Sequence, residues 1–298
     1  MRQKWNYVAI AMLFANLLLI EASPQSGRTI EDGVFTTSDG THIHFLHEGK
    51  QGRLPSLVFI PGWTLSARLW TEQLKHFSED RLVVAVDPRS QAESAQSLVN
   101  NTPEGRARDL QELVVHLGIR NFVIVGWSQG AQDVAAYVTQ FGTGQLAGLV
   151  FVDSPISAGP EEITLHPEFS KAILAGLGVY ANHPTEYCAG LVHSIFAKPH
   201  PQLDISTLVA ESQKTPSPVG TQMLIMDIFG VDRRPAVKQI DKPTLVIASS
   251  TSPLLQAQKD MASAIPSARF VTVEGAGHAL FVDDPEEFEK ALLELLAR

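Results

Sequence analysis

A serine between two glycines closes the apolar run in "VIVGWSQGAQ", residues 123–132, and a helical pattern starts directly behind it. Strand, Gly126-Trp127-Ser128-Gln129-Gly130, helix is the context in which a Gly-x-Ser-x-Gly sequence carries chemistry. Gly126 and Gly130 lack the side chains that would clash where such a turn folds back, so the Ser128 hydroxyl can project above a sheet. The helix that begins at Gln129 aims unpaired N–H groups and its positive end at the same point, which suits a developing oxyanion. A second donor is available in "FIPGWTLSARLW": a strand ends at Ile60, Pro61-Gly62 turns, and the N–H of Trp63 can face Ser128. Further on, Gly275-Ala276-Gly277 forms a flexible loop after an apolar strand, able to lay the His278 imidazole over the sheet edge. An activated serine, an imidazole and paired N–H donors are the parts of acyl transfer through a covalent intermediate.

These groups need a scaffold that brings them to one place. Apolar runs at 56–60, 81–86, 121–125 and 148–152 alternate with helical patterns, and "TLVIAS" (244–249) and "RFVTV" (269–273) resume the alternation. Continuous Val-, Ile- and Leu-rich runs of this kind predict a mostly parallel sheet covered by helices on both faces. Ahead of them, "GVFTTSDGTHIHFLHEG" predicts a hairpin around Asp39-Gly40. His42 and His44 share one strand face there; with no third ligand at a recognisable spacing, that face is read as exposed rather than metal-binding. A helix is expected from about Pro103 to Leu117, with Ala107, Leu110, Val114 and Leu117 on one side, Arg106, Asp109 and Glu112 on another, and Gly118 at its end. A last helix from Pro285 carries Asp284 as its N-cap. Between these blocks, prolines divide residues 155–240 into short pieces, which predicts a cap inserted between core segments 23–154 and 241–298.

In these motifs the chain resembles the α/β-hydrolase family, from about residue 33 to the C-terminus. "PGW" stands where that family usually carries His-Gly-x, "GWSQG" matches its nucleophile elbow, and "EGAGHALFVDDPEEF" matches its histidine loop. Small carboxylesterases of the family are similar in "GWTLSARLW" and "GWS" together. The resemblance implies an α/β-hydrolase fold with Ser128 as nucleophile, His278 as general base, and the N–H groups of Trp63 and Gln129 as the oxyanion hole. The chain departs from the pattern at the acid. The family most often places Asp or Glu just after the strand that here reads "TLVIASSTSPLL", and Ser249, Ser250, Thr251 and Ser252 offer no carboxylate. Asp153, closing "GLVFVD", is the candidate replacement, because some members of the fold place their acid there. Its competing role is a cap for the loop before Pro155. Asp283 and Asp284 follow His278, Asp284 more simply as a helix cap, and Asp87 is more simply a loop carboxylate at a strand end. Trp63, Trp70, Trp127, Phe196 and Phe229 are candidates for an acyl pocket or for core.

The expected activity is hydrolysis of small-molecule carboxylic esters, with no metal or cofactor required. Acyl transfer to an alcohol, amine or peroxide, or amide cleavage, would use the same residues; a ligand-binding protein that lost turnover is the alternative raised by the missing carboxylate. A net charge of -9 without a basic cluster disfavours nucleic acid and anionic membrane surfaces as partners. Cys188 is the single cysteine, so no intramolecular disulfide supports the fold. At the start, Arg2 and Lys4 precede the apolar run Val8–Ile20 and then Glu21, Ala22 and Ser23. That reads as a secretion signal over residues 1–22, its core shorter than the roughly 20 apolar residues of a membrane span. The expected location is secreted or periplasmic, without stable membrane insertion once the signal is removed; an uncleaved anchor is the alternative. Sequencing of the chain from its native host should begin near Ser23 or Pro24, whereas an intact Met1 in the membrane fraction would establish an anchor.

Overall fold

Runs of β-branched residues fit a pleated, buried surface, and each of the six apolar runs between residues 56 and 273 named above forms a strand. The computed structural model describes residues 29–298, so the expected signal at 1–22 lies outside the described residues. The strands are β1 (Glu31–Thr36), β2 (His42–Glu48), β3 (Ser56–Ile60), β4 (Val83–Val86), β5 (Phe122–Trp127), β6 (Leu146–Val152), β7 (Thr244–Ser249) and β8 (Ala268–Val273). They form one sheet in the order β1-β2-β4-β3-β5-β6-β7-β8. The β1–β2 and β2–β4 pairs are antiparallel and all other neighbours parallel. Every residue of β3, β4, β5 and β7 is buried, as a sheet covered on both faces requires.

Side-chain alternation sends Val58 and Ile60 to one face and Leu57 and Phe59 to the other. On the first face pack α2 (Pro103–His116), α3 (Gly130–Phe141) and α9 (Leu255–Ala264); on the second, α1 (Thr71–Phe77) and α11 (Pro285–Leu296). Helix ends follow their caps: Thr102 accepts the Gly105 N–H at 3.2 Å, and Asp284 accepts the Glu287 N–H at 3.2 Å. Between β6 and β7 lie α4 (Glu162–Leu165), α5 (Pro167–Asn182), α6 (Pro184–Ser194), α7 (Ile205–Ser212), α8 (Ser217–Ile225) and a π-helical turn, Met226–Gly230. Pro167, Pro184 and Pro218 stand in first turns, where a missing N–H costs nothing, so these prolines start helices as well as separating them. Tyr180, Cys188 and Met223 of this segment form a small separate core with Trp63 of the loop after β3. No helix among the described residues is long and apolar enough to cross a membrane.

Burial adds to one expectation and corrects another. Arg106 and Asp109, read as a polar side of α2, are only 3% and 5% exposed. Arg106 reaches Asp133 of α3 at 2.9 Å and Asp227 of the π-helical turn at 2.7 Å, while Arg89 meets Asp109 at 2.6 Å. Helical periodicity shows which side is polar, but not that partners from other elements will enclose it. Burial pushes the Asp227 carboxyl up to about 7, against the opposing pull of Arg106. Likewise His44 is buried rather than on an exposed strand face, with Nδ1 2.7 Å from Asp87 and Nε2 3.0 Å from Asp32. Burial alone would lower its pKa; the two carboxylates raise it above the usual imidazole range. Asp87 is no simple loop carboxylate either, since it also accepts the Ala67 N–H at 2.6 Å. Replacing Arg106 by Met would strand Asp133 and Asp227 in the interior, and urea unfolding should register a loss of about 3–5 kcal/mol. A change within the roughly 0.5 kcal/mol of a surface substitution would contradict this account of the cluster.

Candidate active site

The turn at Ser128 is built by exclusion of side chains. A Cβ on Gly126 would lie 2.4 Å from the Gly130 carbonyl oxygen, and one on Gly130 would lie 2.8 Å from that of Ile60. The chain leaves β5 at Trp127, takes Ser128 through a left-handed φ of 55°, and enters α3 at Gly130. A left-handed serine is a strained conformation held by its surroundings. Gly62 brings the loop after β3 against it: a Cβ there would stand 3.1 Å from the Ser128 Cβ. The N–H groups of Trp63 and Gln129 have no acceptor among the described residues. Thr64 donates its N–H to Gln91 Oε1 at 2.6 Å, and the Trp63 indole donates to the Gly220 carbonyl at 2.8 Å, which fixes the loop. Gln91 belongs to no sequence motif, and only the fold brings it here.

His278 stands in the loop after β8, with Nδ1 2.7 Å from Asp153 Oδ2. Asp153 directly follows β6, is 6% exposed, and has a left-handed φ of 46° that turns its carboxylate across the strand ends. Its other oxygen accepts the Ser249 N–H at 3.0 Å and the Gln258 amide at 3.3 Å. The strand end that lacks the expected carboxylate therefore donates to the carboxylate on its neighbour. Ser249 Oγ also donates to the Ala276 carbonyl at 2.6 Å, and the Trp127 indole to the His278 carbonyl at 2.9 Å, so the histidine loop is held from two sides. The other candidate acids lie elsewhere: Asp87 on His44, Asp284 capping α11, and Asp283 on the Gly277 N–H.

Ser128, Asp153 and His278 line one cavity of about 220 Å³, walled by Trp63, Leu65, Phe169, Ile173, Leu191 and Leu224. Trp70 and Trp127 are core residues instead, Trp70 stacked 3.7 Å from Phe281. Phe196 packs on His200 with ring centroids 5.1 Å apart, and neither it nor Phe229 belongs to the cavity wall. Asp227 and Glu162 also line this cavity, and no signal in the sequence pointed to them.

The loops after β3, β5, β6 and β8 thus converge at the C-terminal edge of the parallel strands, where open α/β sheets hold their sites. Sheet, elbow and histidine loop together define a hydrolase-type α/β enzyme. The chain belongs to the alpha/beta hydrolase family, which it matches over residues 57–291. It is 27% identical over 287 residues to a non-heme chloroperoxidase of Kitasatospora aureofaciens, covering 88% of this chain and 98% of that one. It is 32% identical over 123 residues to a bifunctional esterase/perhydrolase of Acinetobacter calcoaceticus, 41% of this chain and 44% of the other. An esterase structure from Exiguobacterium antarcticum superposes with a TM-score of 0.78 at 18% identity, covering 89% of this chain and 99% of that one.

Asp153→Asn separates orientation of His278 from simple loop capping. The amide can donate where the carboxylate accepts, which disfavours the tautomer that leaves Nε2 free to take a proton. Turnover should collapse on the scale of about 10⁴, the loss seen for the corresponding change in a serine protease. Measured beside Asp87→Asn and Asp284→Asn, an active Asp153→Asn enzyme that loses only about 1 kcal/mol of stability would reduce Asp153 to a cap.

Proposed function

We propose that this hydrolase cleaves carboxylic esters through an acyl-enzyme on Ser128. The observation that carries the reading is the His278 Nδ1 to Asp153 Oδ2 contact of 2.7 Å, in a cavity that Ser128 also lines. Asp153 orients the imidazole and stabilises the imidazolium as it forms. His278 Nε2 takes the Ser128 proton while Oγ attacks the ester carbonyl, and the N–H groups of Trp63 and Gln129 stabilise the oxyanion. The imidazolium then protonates the departing alkoxide. Water, deprotonated by the same nitrogen, attacks the acyl-Ser128 carbonyl and releases the acid, restoring the serine. The largely apolar wall suits an acyl chain, and residues 155–240 act as the cap that supplies half of its lining residues.

A second reading is favoured by the relatives: one is named a chloroperoxidase and another an esterase/perhydrolase. Hydrogen peroxide in place of water at the deacylation step would yield a peracid from the same acyl-Ser128. The contact of Asp153 with His278 supports turnover over a binding protein that lost it, the alternative raised by the carboxylate missing after β7.

Esters of increasing acyl length, with and without hydrogen peroxide, should be assayed on the wild type and Ser128→Ala, alongside an organophosphonate probe. One adduct per chain at Ser128, absent in the variant, with turnover abolished, is expected. Labelling or turnover that persists in Ser128→Ala would remove Ser128 as the nucleophile, and peracid formation outrunning hydrolysis would favour the second reading.

A further inference from the structure

Asp283 closes α10 (Leu280–Asp283), is 3% exposed, and takes no part in the proposed chemistry. Its Oδ2 accepts the Gly277 N–H at 2.7 Å and the Ala197 N–H at 2.8 Å, and its Oδ1 stands 2.7 Å from His200 Nε2. One carboxylate therefore joins the residue directly before His278 to the stretch between α6 and α7. The residue directly after His278 is tied to the same stretch, since the Ala279 N–H donates to the Ile195 carbonyl at 2.8 Å. The two segments touch: a Cβ on Gly277 would lie 2.7 Å from the Ala197 nitrogen. Ile195 also lines the cavity that holds Ser128 and His278.

From this arrangement we infer that Asp283, supported by His200, is a positioning residue that sets the His278 imidazole within reach of Ser128 and couples it to the cavity wall at Ile195. The inference rests on the proposed role of His278 as base. Gly275 and Gly277 give the loop backbone little stiffness of its own, so its placement must come from bonds to other segments. The bonds from Ser249 and Trp127 hold its sheet side; Asp283 holds the side facing the inserted helices. A displacement of about 1 Å at a catalytic group can cost about 10²-fold in rate.

The test is kcat, KM and thermal midpoint for Asp283→Ala, Asp283→Asn and His200→Gln on an ester turned over by the wild type, with His278→Ala in parallel. Asp283→Ala should lower kcat by about 10²-fold with KM little changed. Asp283→Asn should recover most of that loss, because its amide oxygen can still accept both backbone N–H groups. His200→Gln should fall between the two. A folded Asp283→Ala with wild-type kcat overturns the inference, as does a fall in thermal midpoint with kcat intact. If Asp283→Ala does not fold, His200→Gln decides: lowered kcat supports the inference, and unchanged kcat overturns it. Turnover persisting in His278→Ala would defeat the reading of the base itself, whereas an inactive His278→Ala beside a fully active Asp283→Ala would defeat the positioning role alone.

Discussion

The site depends on adjacent strands ending at one height. Trp127 of β5 pairs with Val152 of β6, so the residues that follow them, Ser128 and Asp153, leave the sheet side by side. Ser128 still donates its N–H to the Val152 carbonyl at 3.1 Å, and Asp153 its N–H to that of Ile247 at 2.8 Å, so the ladder runs up to the turn itself. The side-chain period of a strand is two, and a slip of one residue between β5 and β6 would turn the two groups to opposite faces. Ladder hydrogen bonds and close-packed Val and Phe side chains set that register far more firmly than any bond inside the site could.

Two left-handed residues complete the arrangement. Ser128 and Asp153 both adopt positive φ, a conformation that L side chains enter only when the surroundings hold them there. Glycines at 62, 126 and 130 clear the space around Ser128, while the Ser249 N–H and the Gln258 amide hold the Asp153 carboxylate. The backbone is strained where the proposed chemistry takes place, and neighbouring elements supply the restraint.

The inserted helices are fastened to the sheet layer by buried polar links at several separate places. Arg106 reaches Asp227, Ser66 Oγ donates to Glu211 at 2.6 Å, and Asp283 holds Ala197 and His200. Buried polar groups are costly when left unpaired, so links of this kind favour one seating of the inserted segment over others of similar apolar contact. That seating defines the cavity wall, and with it the acyl group the site would accept.

Alternating apolar runs, with glycines where the elbow needs them, were enough to indicate the sheet and to place Ser128, because strand period and turn sterics are local properties of the chain. The places of Trp63, Gln129 and His278 beside Ser128 were legible for the same reason: each lies next to a turn whose residues state its geometry. The acid was not. The sequence left Asp153 between two roles, since a carboxylate 125 residues before its histidine acquires a partner only when β6 and the loop after β8 are brought to one edge. His44 was misread as exposed, and the burial of Arg106 and Asp109 was not legible, because periodicity reports the pattern of one element and not the charges on the next. His200 and Gln91 carried no motif, and Asp283 lay in the histidine-loop motif without a sign of its partners; their hydrogen bonds cross between segments distant in the chain. Local steric demands are written in consecutive residues, whereas the pairing of buried polar groups is decided by which segments the packed sheet and inserted helices bring within about 3 Å of one another.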